Sequence, residues 1–80
     1  MKISAVVLNW NRPNDTVGAV HSILAQDHPD FEVIIWDNAS SDNSRDILSQ
    51  AFGRNPRVRM FFAPRNHGVA GGRNRAVRET

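Results

Sequence analysis

The chain has no cysteine, which rules out disulfide staples, thiolate zinc centres and a thiol nucleophile, and fits a reducing compartment. It has no apolar run near the roughly 20 residues of a membrane span. The apolar start from Ile3 to Leu8 stops at Asn9 with no small-residue cleavage site after it, so it reads as a strand rather than a leader. The chain as it stands reads as soluble and cytoplasmic, with the inner face of the membrane as the setting for a longer protein. Internal repeats, low-complexity tracts and flexible linkers are missing too. So are the phosphate-binding signatures G-x-x-x-x-G-K-[ST] and, after the first strand, G-x-G-x-x-G. No His and carboxylate pair has the spacing of metal ligands, so no metal is expected within these residues.

What is present is one compact unit's worth of chain: 80 residues, 40% apolar. A unit this small buries only about 60–65% of its unfolded surface, so its stability is expected to be modest. Charge is unevenly placed. Residues 1–50 carry three basic groups against seven acidic ones, net −4, whereas residues 51–80 carry seven arginines against Glu79 alone, net +6. Guanidinium suits bidentate phosphate contact better than ammonium does. A solvated helix face explains any single arginine equally well.

Strand and helix patterns alternate three times. Residues 3–9 are apolar and β-branched. Pro13 suits a first helical position and opens a helix to about Gln26, with Val17, Val20, Ile23 and Leu24 on one face and His28-Pro29 as its stop. Residues 31–37 are nearly continuously apolar, the pattern of a strand buried on both faces in a parallel sheet. Ser41 or Asp42 can cap a short helix carrying Ile47, Leu48, Ala51 and Phe52, closed by Gly53 from the C′ position. Residues 57–62 alternate as a third strand, and a last helix starts near Val69 or Ala70 and is still running at Thr80. The expected fold is α/β: a three-layer, Rossmann-like parallel sheet of β-α-β-α-β-α order. Three strands are few for this architecture, so residues 1–80 are expected to be a single partial domain.

Open α/β sheets bind ligands at the carboxyl ends of their strands. The second strand empties into Asp37-Asn38-Ala39-Ser40-Ser41-Asp42. Turn and cap chemistry explains Ser40, Ser41 and Asp42. Asp37 is the candidate ligand, because one acid suffices as a cap and Asp42 is better placed for it. The first strand ends in Asn9-Trp10-Asn11-Arg12-Pro13, beside Asp37 if the two strands are neighbours. Trp10 can stack on a ligand ring or anchor the loop; Trp36, inside the strand, reads as core. The third loop, Asn66 to Asn74, joins small residues to a helix start with Arg73 one turn in, an arrangement suited to a phosphate or a base edge. His67 reads as a loop hydrogen-bonder.

Together these loops resemble the N-terminal part of the inverting family 2 glycosyltransferases of the GT-A fold. The resemblance rests on Val6-Val7-Leu8-Asn9-Trp10-Asn11-Arg12-Pro13, on Ser22-Ile23-Leu24-Ala25-Gln26, on Val33 to Asp42, and on Asn66-His67-Gly68 followed by Gly72-Arg73-Asn74. It implies that Asp37 contacts the base of a nucleotide-diphospho-sugar, that Asn9, Trp10, Asn11 and Asn38 line the nucleotide pocket, and that Arg73 helps hold the nucleotide. Leu8-Asn9-Trp10-Asn11 replaces the commoner Pro-Thr-Tyr-Asn, and Asp37-Asn38 replaces two aspartates. Both variants resemble the rhamnosyltransferase-like branch, which implies a UDP- or dTDP-linked donor. The full-length enzyme is expected to use Mg or Mn, bound by an Asp-x-Asp after the next strand, and a carboxylate base further on; its acceptor would be a glycan or lipid. Lacking both regions, residues 1–80 are expected to bind but not to turn over, and to self-associate.

Two other readings fit some of the same features. A non-catalytic nucleotide or effector module is permitted by the three-loop layout. A nucleic-acid-binding protein is suggested by the arginines, but the acidic first half and the lack of aromatics interleaved with them argue against it, and no nucleic-acid partner is expected.

Overall fold

The computed structural model describes residues 3–26 and 30–79; the expected stop at His28-Pro29 lies outside the described residues. The elements are β1 (Ile3–Asn9), α1 (Pro13–Leu24), β2 (Phe31–Asp37), α2 (Ser44–Phe52), β3 (Val58–Phe62) and α3 (Gly68–Arg78). The strands form one parallel sheet in the order β1-β2-β3. Ile3 pairs with Phe31 and Asn9 with Asp37, while Val33 pairs with Val58 and Asp37 with Phe62.

Alternation along the strands sets the layers. Ala5 and Val7 of β1, Val33 and Ile35 of β2, and Val58, Met60 and Phe62 of β3 point to one face, where Val20 of α1 and Leu48 and Phe52 of α2 complete the main core. Ile34 and Trp36 point to the other face, which α3 covers; Ile34 and Ala76 are both fully buried. Because β2 lies between two helical layers, every residue from Phe31 to Ile35 is buried, as its apolar run requires. The result is the expected three-layer α/β unit.

Four boundaries differ from the sequence expectation, each for a local reason. The α-helical bonding of α1 ends at Leu24 rather than Gln26, because the Gln26 N–H reaches back three residues to the Ile23 carbonyl (3.1 Å) and tightens the last turn. β3 starts at Val58, since the Arg57 N–H is taken by Asn55 Oδ1 at 2.9 Å in an Asx turn. Gly53 is the C-cap in right-handed geometry (φ −59°) rather than a left-handed C′ residue, as its N–H still bonds the Ser49 carbonyl at 2.8 Å. α3 opens at Gly68, whose φ of 74° is one that side chains rarely adopt.

Candidate functional site

The carboxyl ends of β1 and β2 lie side by side, so the polar residues that follow each strand meet. Asn9, 1% exposed, donates from Nδ2 to Asp37 Oδ1 at 2.7 Å and accepts on Oδ1 from the Thr16 hydroxyl at 2.6 Å. Asp37, 4% exposed, accepts from the Ser40 hydroxyl (2.5 Å) on Oδ1 and from the Ser40 N–H (3.1 Å) on Oδ2. The Ser40 hydroxyl oxygen in turn accepts the Asn11 N–H at 3.0 Å. Asn11 reaches across with its side chain: Oδ1 accepts from the N–H groups of Ser41 (2.8 Å) and Asp42 (3.3 Å). Its φ of 53° is a conformation asparagine tolerates. The two loops are therefore fastened together by side chains from both.

Asn38 makes the third connection. Its Oδ1 accepts the Trp36 indole N–H at 3.1 Å and the His67 N–H at 3.4 Å, and its Nδ2 donates to the Gly68 carbonyl at 2.9 Å. α3 thereby starts against the end of β2. Its Gly72 leaves the space that Asn38 fills, since a Cβ there would lie 2.7 Å from Asn38 Nδ2. The N-cap of α2 is Asn43, without a side-chain cap bond, rather than Ser41 or Asp42; Asp42 lies one residue before it, where its Oδ1 accepts the Ser44 N–H at 2.9 Å in an Asx turn.

Between these loops lies an open cavity of about 520 Å³, lined by Leu8, Asn9, Trp10, Asn11, Arg12, Asn38, Asn66, Gly68 and Val69. Four of the six expected site residues, Asn9, Trp10, Asn11 and Asn38, are in its wall. Asp37 sits behind Asn9 and is not among the lining residues. Arg73 is exposed on the second turn of α3 and is likewise outside the lining. Trp10 is 56% exposed and so does not anchor its loop in the core. Trp36 is half-buried rather than fully internal, with its ring 6.0 Å from Phe61 and 6.5 Å from His67.

The residue that sequence reasoning passed over is Arg12. Among the described residues it is the one cation in the cavity wall, and its position in the first loop was the available signal. His67 is held below the ordinary histidine value by desolvation and by the cations Arg75 and Arg65. Among the described residues no three His, Asp or Glu side chains are placed to hold a metal ion, and no helix is long and apolar enough to cross a membrane.

A parallel three-layer sheet whose polar loops gather around a cavity at the strands' carboxyl ends is the architecture of the GT-A glycosyltransferases. In agreement, a mannosyltransferase from Pyrobaculum calidifontis, solved in complex with GDP-Man and Mn2+, superposes with a TM-score of 0.88 over 99% of this chain and 24% of its own, at 22% identity. The chain belongs to glycosyl transferase family 2, whose family model matches residues 4–80. It is 39% identical over 75 residues to an uncharacterized glycosyltransferase of Nostoc sp., covering 92% of this chain and 23% of that protein. It is 36% identical over 75 residues to the putative teichuronic acid biosynthesis glycosyltransferase TuaG of Bacillus subtilis, covering 94% of this chain and 30% of that protein. The chain thus spans less than a third of the length of these relatives.

Proposed function

We propose that these 80 residues form the donor-nucleotide-binding part of a glycosyltransferase that moves a sugar from a nucleotide-diphospho-sugar to an acceptor hydroxyl. The observation that carries this reading is the cavity itself: three strand-end loops supply it with four asparagines, an exposed indole and a guanidinium. Asn9, Asn11 and Asn38 supply amides at the wall, Trp10 offers a ring face for a base, and Arg12 offers a cation for a diphosphate. Asp37 Oδ2 accepts one internal bond, which leaves acceptor capacity for a base N–H behind Asn9. Arg73 is assigned to the outer, phosphate side.

In the reaction, a bond forms between the acceptor oxygen and the anomeric carbon while the bond to the diphosphate breaks, and the acceptor proton goes to a base. The described residues do not fit a divalent cation, so the Mg or Mn of the full-length enzyme is assigned to residues outside them, as is the base. On this reading the chain binds nucleotide without transferring sugar. The partners are a UDP- or dTDP-sugar and a glycan or lipid acceptor, met in the cytoplasm.

Calorimetric titration of the chain with UDP, dTDP, GDP and ADP tests this. The uracil and thymine imide N–H can donate to a carboxylate, and adenine has no imide N–H, so UDP and dTDP are expected to bind more tightly than ADP. Preference for GDP would correct the base while leaving the nucleotide-sugar class intact. Preference for ADP, or no binding of any of the four, would overturn the reading.

A further inference from the structure

We infer that Asn38 is a positioning residue: it clasps the start of α3 to the end of β2 and so sets the α3 wall of the nucleotide cavity. What the cavity holds rests on the proposal above; the clasp does not. The side chain joins three partners whose chemistry leaves one arrangement of the amide. The Trp36 indole N–H and the His67 N–H only donate, so they require Oδ1, and the Gly68 carbonyl only accepts, so it requires Nδ2. Asn38 is 4% exposed, and among the described residues no buried side-chain N or O lacks a partner. Gly68 and Asn38 both line the cavity, beside Asn66 and Val69 at the start of α3.

Two residues besides Asn38 are shaped to the clasp. Gly68 carries the carbonyl that Asn38 holds and takes a φ of 74°. Gly72, one turn later, is itself buried; a Cβ there would lie 2.7 Å from Nδ2 and 3.0 Å from Oδ1 of Asn38, so alanine would displace the amide. An aspartate at position 38 could still accept from Trp36 and His67 but would turn an acceptor toward the Gly68 carbonyl. That substitution therefore opens the α3 arm of the clasp and spares the Trp36 arm. Asn38 and Gly72 act on one contact, and their substitutions should not be additive.

The test uses Asn38→Asp, Asn38→Ala, Gly72→Ala and the Asn38→Asp/Gly72→Ala double variant of this chain, with UDP as the probe. Three quantities are read: UDP affinity, hydrogen exchange of the amides in the first two turns of α3, and the Trp36 indole N–H resonance, assigned in a Trp10→Phe background. Loss of the Gly68 bond, common to all three single variants, predicts at least about tenfold weaker UDP binding for each, with the double variant no weaker than the worse of its two component variants. Exchange at the start of α3 should accelerate while that of α1 and α2 does not. The indole resonance should move upfield in Asn38→Ala and much less in Asn38→Asp. UDP affinities within about twofold of the parent, or single effects that multiply in the double variant, would overturn the inference. If even the parent does not bind UDP, the uridine reading of the base fails, and the clasp is judged by the exchange and indole readouts. If Asn38→Asp and Gly72→Ala both lose the whole fold, Asn38 is a core residue of the entire unit and the local role is wrong.

Discussion

At the residue scale, the chemistry of this chain lies in side chains that hold one another before they hold anything else. Asp37 is the clearest case: its carboxylate accepts from Asn9 Nδ2, the Ser40 hydroxyl and the Ser40 N–H. An amide at this position must turn a donor toward one of these donors. Asp37→Asn is therefore expected to lose about 1–2 kcal/mol of folding stability as well as nucleotide affinity. The check is a urea titration in which the midpoint falls with the slope unchanged; a full-stability variant would show that the three bonds contribute nothing net. Ala39 presents the opposite situation. Its φ of 59° lies in the left-handed region, which is costly for a residue with a Cβ and has no side-chain compensation in alanine. Ala39→Gly relieves that strain at the cost of a more flexible unfolded chain. The expected balance is a gain of up to about 1 kcal/mol, seen as a higher thermal midpoint, whereas a lower midpoint would show that the turn is unstrained.

At the element scale, much of the fold was legible because the signals were local and redundant. β1 and β2 run over the residues their apolar patterns mark, and Pro13 opens α1 as its fixed φ allows. Gly53 was misread because a glycine after a helix suggests a left-handed residue, and only the Ser49 bond shows otherwise. The site was legible as three loops, since any parallel sheet brings its strand ends together. Its inner wiring was not. The pairing of Asn9 with Asp37 and of Asn38 with Gly68 spans 28 and 30 residues, and it depends on the strand register and on how α3 crosses the sheet. Nothing in a polar turn says whether its side chains face a ligand or each other. The start of α2 lies one residue from where local reading puts it: Asn43 is the N-cap, and Asp42 bonds Ser44 from the position before it, which yields a further expectation. Asp42 is exposed and takes the Ser44 N–H and hydroxyl, so Asp42→Ala should lower stability by about 1 kcal/mol. Because Asp42 is not among the cavity residues, nucleotide affinity should stay near the parent's; a large affinity loss with intact stability would reverse the roles given to Asp37 and Asp42.

At the scale of the whole molecule, three strands leave the outer two each with one edge that no described strand pairs. β1 is the more consequential of the two. Ile3 is 46% exposed, and α3, which packs on β1 and β2, leaves Val69 and Val77 more than half exposed. Parallel sheets are ordinarily covered on both faces, and an open strand edge is a template for pairing with another chain. The chain spans 23% and 30% of the two bacterial relatives compared above. The expected outcome in isolation is association that grows with concentration. Light scattering should show a mass-average molar mass rising above 9.0 kDa as the protein is concentrated. Placing a charge on the edge should oppose this, since lysine is a common means by which edge strands avoid pairing. Ile3→Lys, at an exposed position where substitutions cost about 0.5 kcal/mol or less, should reduce association without lowering the thermal midpoint appreciably. A parent chain that stays strictly monomeric and cooperatively folded at every concentration would mean that the β1 edge is already protected, and Ile3→Lys would then leave its mass unchanged.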